Sequence, residues 1–431
     1  MRDRYDPDLE AWCVQAGATN WHAYSHLYPL SGKALPGGSC YSVGLGGHIT
    51  GGGYGLLSRQ SGLTVDYLYA VEVAVVNADR TVDLVVATRD DPDPDRRDLW
   101  WAHTGGGGGN FGVVTRFWFR DLPAPPERVL ITARAWKWPD FTKESFTRLL
   151  NAYGEYFADH QDPATPAGRL FTLLTLNHRA NGEIGLIAQV DADSDAEDDP
   201  GVAAMRAFLK KVDGDRVPDS HPMWSSAAEH AAIPGAYKPR LMPWLTATQA
   251  LNSSGENRCG KYKSAYLRKP FTKRQITAMW DYLGNTHFEN YDNKEAVIQI
   301  DSYGSAVNDP PHDTASPQRD SILKMQYQVY WQRPSDDDAG DEAKHLAWIR
   351  ETYRATFAAT GGVPVIGENT DGCYVNYPDT DLSDADWNTS DQSWHKLYYK
   401  DAYTRLQRVK ARWDPLNIFQ HAQSIRPPAD I

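Results

Sequence analysis

A cysteine inside a glycine-rich segment is the first residue of this chain whose setting suggests chemistry. Residues 36–55 read PGGSCYSVGLGGHITGGGYG; nine of these twenty residues are glycine, and Cys40 lies near the start. A flexible linker is Gly/Ser-rich and polar, whereas this segment also carries Val43, Ile49 and Tyr54. Glycine in such a setting allows positive φ or the close approach of a ligand to the backbone. The segment therefore predicts a binding loop that contains a thiol.

Three tyrosines carry hydroxyls whose chemistry includes proton transfer, although the tyrosines of CYVNY, taken alone, indicate packing aromatics with partnered hydroxyls. Tyr374 and Tyr377 stand three residues apart in CYVNY, and Tyr303 stands in DSYGS. A phenol has a pKa of about 10, so a tyrosine that acts as a base near neutral pH needs a lowered pKa or a route for its proton. Along an extended segment Tyr374 and Tyr377 would alternate to opposite faces, whereas a turn would bring both to one site. Both arrangements are compatible with the sequence.

A second glycine tract lies in TGGGGGNFGVV, where Gly107, Gly109 and Gly112 satisfy the spacing G-x-G-x-x-G. A dinucleotide fingerprint of this spacing follows a strand and opens a helix. Here a helix-like stretch precedes the tract and the strand VVTRFWF follows it, and the spacing G-x-x-x-x-G-K-[ST] does not occur in the sequence. The tract therefore predicts neither a Rossmann site nor a P-loop, although its backbone N–H groups can bind pyrophosphate.

The composition restricts the partners. The 431 residues carry 56 acidic and 44 basic side chains, a net charge of −12. Nucleic acids and anionic membranes are contacted by basic patches, so neither is a predicted partner. Four widely spaced cysteines without a CxxC pair predict neither a disulfide framework nor a structural zinc site, and His22 and His26 alone do not make a metal site. No apolar run approaches the ~20 residues of a membrane span, and the opening MRDRYDPDLE has no apolar signal region; we expect a cytoplasmic protein.

The elements that must position these residues follow from the hydrophobic pattern. Residues 67–88 predict two strands joined by a turn at 77–80. After a proline-rich break at 122–127, strands such as RLFTLLTLNHR and AVIQIDSYGSAVND alternate with helical stretches such as TKESFTRLLNAYGEYFADH. This pattern predicts an α+β fold in which helices cover an antiparallel sheet.

Four stretches taken together resemble the berberine-bridge-enzyme-like flavoprotein oxidases, whose FAD domain has the vanillyl-alcohol-oxidase-type fold. They are GGSCYSVGLGGHITGGGYGLLSRQSGLTVD, DLWWAHTGGGGGNFGVVTRFWF, DSYGSAVND and the closing NYPDTDL…WHKLYYKDAYTRLQRVKARWDPLNIFQHAQSI. The resemblance implies an FAD-binding domain at residues 1–124, a substrate-binding domain at 125–365, and a C-terminal segment at 366–431 that returns to the FAD domain and the active site. Within the family, the stretches look closest to bacterial oxidases of sugars and glycosylated natural products.

The resemblance also implies roles for individual residues. Cys40 resembles the cysteine that bonds covalently to C6 of the flavin ring of FAD, Val43 stands at the position that controls oxygen access, and His48 resembles a histidine beside the ribityl chain. Asn417 resembles an asparagine of the closing segment that returns to the cofactor domain. The other implied FAD contacts are Gly38, Ser39, Gly44, Gly46, Gly47, Gly52 and Gly53 in the first loop and Gly107, Gly109, Asn110, Gly112 and Val113 in the second.

The sequence departs from the family at its N-terminus. Family members begin with another lobe of the FAD domain, which carries an RSGGH-like motif whose histidine forms a second covalent bond to the flavin, and no such motif occurs here. The resemblance therefore predicts an N-terminally incomplete FAD domain and no histidyl link in this chain. An upstream start codon and a shortened protein are the two explanations, and a shortened protein would expose apolar surface.

The activity implied by the resemblance is that of an oxidase. A hydride would leave an alcohol or hemiacetal carbon of a sugar or glycosylated natural product for the flavin, and O₂ would be reduced to H₂O₂. Tyr377 is the predicted base and a flavin contact, Tyr374 is the alternative base, and Tyr303 is expected across the cleft. We expect a monomer or a homodimer. The predicted aromatic liners of the cleft are Trp136, Trp138, Tyr266, Tyr330 and Trp331.

Two other functions are compatible with the sequence. One is oxidative ring closure on an aromatic natural product, which a glutamate base near the flavin would favour, whereas the tyrosine pair favours the oxidase. The other is a truncated relic that contains no flavin and binds a sugar or a partner through the substrate domain.

Overall fold

The computed structural model describes residues 4–219, 236–251, 258–288, 290–332 and 339–428. Two antiparallel sheets organise these residues, and each sheet belongs to a different part of the chain. No helix within the described ranges is both long and apolar enough to cross a lipid bilayer.

The first sheet has five strands in the order β1-β2-β5-β3-β4. Strands β3 and β4 pair as an antiparallel hairpin, which confirms the hairpin predicted at 67–88. Its turn contains Arg80 at φ +69°. The strands are β1 (Arg4–Asp6), β2 (Ala11–Gln15), β3 (Leu68–Val76), β4 (Val82–Thr88) and β5 (Val113–Phe119), and the helices of this part are α1 (Asn20–Ser31), α2 (Leu45–Thr50), α3 (Ser58–Ser61) and α4 (Pro94–Ala102).

The second sheet has seven strands in the order β10-β12-β11-β7-β8-β6-β9, and every pairing is antiparallel. Helices α5, α7, α9 and α10 pack over one of its faces, which confirms the predicted α+β arrangement. The strands are β6 (Arg128–Lys137), β7 (Phe171–Asn177), β8 (Glu183–Asp191), β9 (Arg240–Pro243), β10 (Cys259–Leu267), β11 (Ala296–Ser302) and β12 (Leu323–Trp331), and the helices are α5 (Lys143–Asp159), α6 (Pro166–Arg169), α7 (Pro200–Asp213), α8 (Trp244–Ala250), α9 (Lys273–Leu283) and α10 (Ala339–Thr356).

Helix α5 shows why these segments become covering helices. Its N-cap Thr142 accepts a hydrogen bond from the Ser145 backbone N–H, and the Ser145 side chain bonds back to the cap, which satisfies two of the otherwise unpaired amides of the first turn. Phe146, Leu149 and Tyr153 then recur at helical spacing and are fully buried against the sheet. The helix predicted for this segment is therefore confirmed.

The opposite face of the second sheet is polar at its centre. Side chains alternate across a strand, so Ile298 and Ile300 of β11 face the helices while Gln299 and Asp301 face away. The register of the two strands places Gln299 opposite Gln326 and Asp301 opposite Lys324 of β12. Four polar side chains therefore lie side by side on the face opposite to helices α5, α7, α9 and α10.

The C-terminal segment joins the two sheets. It contains helices α11 (Trp394–Tyr399) and α12 (Tyr403–Trp413), and α12 packs against α4. Before them, the Tyr374 backbone N–H donates to Ser264 Oγ of β10 (2.9 Å) and Asn376 Nδ2 donates to the Gly47 carbonyl of α2 (2.9 Å). The domain boundaries at 124 and 365, and the incompleteness of the FAD domain, stay predictions.

Candidate active site

A cavity of about 620 Å³ lies between the glycine-rich first loop and the polar face of the second sheet. It contains most of the first-loop residues that the sequence nominated, together with the tyrosine pair. The predicted site residues that line it are Gly38, Ser39, Cys40, Val43, Gly44, Gly47, His48, Tyr374 and Tyr377.

A turn places Tyr374 and Tyr377 at this one site. The Tyr377 backbone N–H donates to the Tyr374 carbonyl (3.1 Å), the i→i+3 bond of a β-turn. The two rings meet edge to face, with centroids 5.0 Å apart and planes at 87°. Of the two arrangements that the sequence allowed, the structure has the turn.

The hydroxyl of Tyr377 lies in a polar network that the sequence did not reveal. It donates to Gln326 Oε1 (2.7 Å), and the Lys324 ammonium donates to it (3.4 Å). Lys324 also pairs with Asp301 Oδ2 at 3.2 Å, and Gln299 Nε2 donates to the other oxygen of Asp301 (2.8 Å). Because Lys324 and Asp301 are almost completely buried, their charges interact strongly with each other and with the phenol.

Tyr374 has a different environment. Its hydroxyl accepts a hydrogen bond from Asn376 Nδ2 (3.1 Å), and burial raises its pKa to about 12. Tyr303 lies deeper still, with its hydroxyl donating to the Gln318 carbonyl (3.1 Å), and burial raises its pKa as well. The structure does not bring Tyr303 to the main cavity, from which the ring of Tyr54 separates it. Tyr377 is thus the one of the three nominated tyrosines whose hydroxyl faces a cation in the cavity.

His48 lies under the first loop and is held in its neutral form. Its Nε2 accepts a hydrogen bond from the Gly38 backbone N–H (3.0 Å), which requires an unprotonated nitrogen. Burial and then the nearby Lys324 ammonium lower the pKa of His48 to about 4. The Tyr24 hydroxyl donates to the Gly38 carbonyl (2.8 Å) and Asn20 Nδ2 to the Cys40 carbonyl (3.2 Å). The loop that carries Cys40 is therefore fixed from several sides.

The glycines of this loop fall into two groups. A Cβ on Gly51 would overlap the Asn376 side chain, and one on Gly53 (φ +74°) would overlap Thr64, so these glycines are required by packing. A Cβ on Gly44 or Gly47 would meet no atom of the described chain within 4 Å, although both line the cavity. Glycine at such positions leaves room for a ligand against the backbone. The loop thus fits a large planar cofactor.

A second cavity, of about 320 Å³, adjoins the first and shares Gly47, Asn376 and Pro378 with it. Gly107 and Asn110 of the predicted second loop line it. Asn110 Nδ2 donates to the Gly106 carbonyl (3.1 Å), and its Oδ1 accepts from the Ile425 backbone N–H (3.0 Å). Asn110 therefore ties the second loop to the C-terminal segment as well as facing a cavity.

The other residues nominated as FAD contacts line neither of these two cavities. Gly52 and Gly53 border a much smaller void behind the first loop, where Gly52 lies near Ser316. Gly112 packs against β3, and Val113, the first residue of β5, is 57% exposed. Gly46, Gly109 and Asn417 also lie outside the two lining sets, with Gly109 at φ +73° and Asn417 at φ +49° in their turns.

The aromatic lining differs from the expectation. None of the five nominated aromatic liners lines the main cavity: Trp136 is buried in the core and Trp331 stacks on His345. The aromatic walls are instead Tyr54, Phe171 and Tyr262. The ring of Tyr262 stacks on that of Tyr377 (5.9 Å, 18°), and its hydroxyl bonds to the Tyr330 hydroxyl (2.6 Å).

Sequence reasoning missed Gln299, Asp301, Lys324 and Gln326. The signal that could have found them is the alternation of AVIQIDS and LKMQYQ. Both segments are strands with one apolar set and one polar set. A polar set in strands that otherwise look central to a sheet indicates a buried polar face, which is expensive without a function.

Comparison with known proteins agrees with this site. The family profile described as "Berberine and berberine like" matches residues 373–426. Over 438 residues the chain is 42% identical to aclacinomycin-N/aclacinomycin-A oxidase of Streptomyces galilaeus, covering 98% of this chain and 75% of that protein. It is 36% identical to hexose oxidase of Chondrus crispus over 450 residues, covering 98% of this chain and 79% of the relative.

A solved structure extends the similarity to three dimensions. The crystal structure of a glycopeptide hexose oxidase complexed with teicoplanin matches with a TM-score of 0.87 at 41% identity, covering 99% of this chain and 83% of the other. The similarity therefore includes both sheets. This chain belongs to the berberine-bridge-enzyme-like family of FAD-linked oxidases.

Proposed function

We propose that this protein is an FAD-dependent oxidase that converts an alcohol or hemiacetal carbon of a sugar, or of the sugar of a glycosylated natural product, to the carbonyl level and reduces O₂ to H₂O₂. The observation that carries the proposal is the contact of the Tyr377 hydroxyl with the Lys324 ammonium inside the cavity. The polar face of the sheet and the names of two relatives, both hexose oxidases, support a sugar as the group that is oxidised.

Tyr377 acts as the base. In the neutral phenol the hydroxyl donates to Gln326, an acceptor that cannot take up the proton. When the phenol loses its proton to solvent, Lys324 becomes the donor to the resulting oxygen anion and stabilises it. That oxygen then accepts the hydroxyl proton of the substrate while the hydride leaves the same carbon. The phenol takes up the proton, and the other hydrogen leaves as a hydride that carries both electrons, for which bound FAD would be the acceptor.

FAD, when bound, supplies the acceptor of the hydride and the route of the electrons to oxygen. The residues that would bind it are those of the first loop, with Gly44 and Gly47 leaving room for it and Asn110 and Gly107 at the adjoining cavity. We propose Cys40 as the covalent attachment, because its residue lines the main cavity in a loop fixed by Tyr24 and Asn20.

Tyr374 is not the base in this proposal. Its pKa is raised to about 12 by burial, so its proton is released less readily than that of an ordinary phenol. The centroid of the Tyr374 ring lies 5.0 Å from Lys324 Nζ, whereas the Tyr377 hydroxyl contacts that ammonium directly. Tyr374 instead shapes the wall against which the substrate lies.

Oxidative ring closure is the alternative that the lining residues disfavour. A glutamate base would favour it, and no glutamate is among the described residues that line the main cavity. Within the same described lining, Asp301 is the only carboxylate, and it already pairs with Lys324 and accepts from Gln299.

Peroxide release by the flavin-loaded protein tests the proposal. Hexoses and glycosylated natural products are offered, and Tyr377→Phe is compared with Tyr374→Phe. Removal of a positioned base is expected to lower kcat about 10²–10⁴-fold in Tyr377→Phe, and Tyr374→Phe is expected to lose less than about tenfold. Equal losses in the two variants would assign the base elsewhere, and ring-closed products without peroxide-yielding alcohol oxidation would support the alternative.

The covalent link has its own test. The absorption spectrum is recorded before and after acid precipitation, for the wild type and for Cys40→Ala. Yellow colour that stays in the wild-type pellet and is washed out of the variant pellet is the expected result. A colourless wild-type protein would support the flavin-free relic.

A further inference from the structure

Gln299 is a buried residue of the main cavity that the proposed mechanism does not use. It is 5% exposed, lines the cavity, and lies directly opposite Gln326, the acceptor of the Tyr377 hydroxyl. Directly opposite residues of an antiparallel pair have Cβ atoms about 5 Å apart. Gln299 is therefore one side chain away from the residue that contacts the proposed base.

The chemistry of Asp301 determines which way the Gln299 amide points. An ionised carboxylate only accepts hydrogen bonds, and Asp301 forms an ion pair with Lys324. Gln299 must therefore direct its NH₂ group at Asp301, as the 2.8 Å contact shows. Its Oε1 is left as a buried acceptor, and it has no hydrogen-bond partner among the described residues.

Thr175 shows the same deficit next to Gln299. The two residues are partners in the register of β7 and β11, so their side chains are on the same face of the sheet. Thr175 is 1% exposed, and its Oγ1 also has no hydrogen-bond partner in the described part of the chain. A buried polar atom without a partner costs free energy comparable to a lost hydrogen bond. Of these two residues only Gln299 lines the cavity, so Gln299 Oε1 is the atom that a polar group bound in the cavity can satisfy.

We propose that Gln299, with Asp301 beside it, forms a hydroxyl-recognition subsite in the cavity. It binds a hydroxyl of the sugar ring next to the carbon that faces Tyr377, because a hydroxyl can donate to the unpartnered Gln299 Oε1. The inference rests on the proposed function for the identity of the reacting carbon. The new element is that Gln299 binds a ring hydroxyl next to that carbon, which makes Gln299 a specificity-determining residue.

Paired sugars test the subsite. D-glucose and D-galactose are compared with their 2-, 3- and 4-deoxy forms, by calorimetric binding and by peroxide release from the flavin-loaded protein. The wild type is expected to bind a parent sugar about five- to tenfold more tightly than one of its deoxy forms, the factor of one neutral hydrogen bond. Gln299→Leu is expected to abolish that preference while it leaves the binding of the deoxy form within about twofold.

Two further variants complete the experiment. Gln299→Met also removes the acceptor oxygen but keeps an unbranched side chain that adapts to its surroundings, and it is expected to lose the same preference if Gln299→Leu proves unstable. Gln189→Leu is the matched control, because Gln189 is equally buried on the same face of the sheet with an unpartnered Oε1 among the described residues but lies outside the cavity lining. It is expected to retain the full preference.

The outcomes separate the two proposals. A preference that survives Gln299→Leu and Gln299→Met overturns the subsite. A wild type that binds no sugar of the series, or that binds parent and deoxy forms equally, also overturns it. A preference lost in Gln299→Leu, in a protein that releases no peroxide, supports the subsite and overturns the proposed oxidation.

Discussion

Replacement of Lys324 by methionine is the sharpest test of the electrostatics of this site. Lys324 Nζ lies 3.4 Å from the Tyr377 hydroxyl and 3.2 Å from Asp301 Oδ2, and its side chain is 3% exposed. Methionine keeps much of the unbranched apolar stem and removes the charge. The variant therefore asks what the ammonium contributes to a negative charge on Tyr377.

The magnitude follows from the distances. An ammonium 3.4 Å from a phenolate oxygen stabilises it by about 5 kcal/mol at an effective dielectric constant of about 20. An ionised Asp301 without its partner would repel the phenolate by about 3 kcal/mol at a separation of roughly 6 Å. The single variant is expected to lose about 10³–10⁴-fold in kcat/KM near neutral pH, and the double variant K324M/D301N is expected to recover about two powers of ten.

The pH dependence of kcat/KM is the assay that isolates this effect. Without the ammonium the Tyr377 proton is released less readily, so the acidic limb of the profile is expected to move to higher pH by about three to four units. Loss of the cation also leaves Asp301 buried without its partner, which lowers the free energy of unfolding by about 3–5 kcal/mol. The stability loss alone would not move the limb.

Lys263→Met is the matched control. Lys263 is also 3% exposed and pairs with Asp379 at 2.6 Å, but it lies on the helix-covered side of β10. Its loss is expected to lower stability by a similar amount and to leave the acidic limb in place. A Lys324→Met enzyme with an unmoved acidic limb would refute the assignment of Tyr377 as a base stabilised by Lys324.

Three further predictions concern stability and cofactor binding. Burial lowers the pKa of His103 to about 4, so below about pH 6.5 the unfolded chain binds a proton that the folded chain does not bind. The free energy of unfolding is therefore expected to fall as the pH falls from 6.5 to 4. In urea titrations, His103→Gln is expected to remove about 2 kcal/mol of the stability loss between pH 7 and pH 5. Gly47→Ala is expected to keep the urea midpoint of unfolding and to lower the flavin content measured by absorbance. Gly51→Ala, whose Cβ would overlap Asn376, is expected to unfold at lower urea. The opposite result for the two variants would contradict the division into glycines required by packing and glycines that leave room for a ligand. Asp379→Asn weakens the counter-charge of Lys263, which is buried, and of Lys261, which is partly buried. It is expected to lower the free energy of unfolding by about 3 kcal/mol, and an unchanged urea midpoint would show that these ion pairs contribute nothing to stability.

The local patterns of the sequence predicted the elements well. Alternation in strands and a 3.6-residue repeat in helices are properties of neighbouring residues, so the hairpin at 67–88, the antiparallel second sheet and helix α5 are predictable from the amino-acid sequence alone. The first glycine loop and Cys40 were also recognisable, because a run of glycine with apolar residues has few uses other than close approach to a ligand.

What alternation could not supply is which face of a strand meets the cavity. Gln299 and Asp301 lie on one side of β11 because side chains alternate along a strand. The cavity forms on that side because helices α5, α7, α9 and α10 cover the other side. Lys324 lies beside Asp301 only because of the register of β11 with β12. The register of two strands joined by a long connection is set by tertiary packing.

The tyrosines show the same division. Their spacing in the sequence determined that Tyr374 and Tyr377 were the residues to consider, and the backbone turn between them decided that both face one cavity. Tyr303 was a weaker candidate in the sequence, and the packing of Tyr54 over it keeps it out of the main cavity. Residue types and local periods are thus properties of the sequence alone, whereas proximity of a base, a cation and a carboxylate arises only when three separate segments meet in the folded protein.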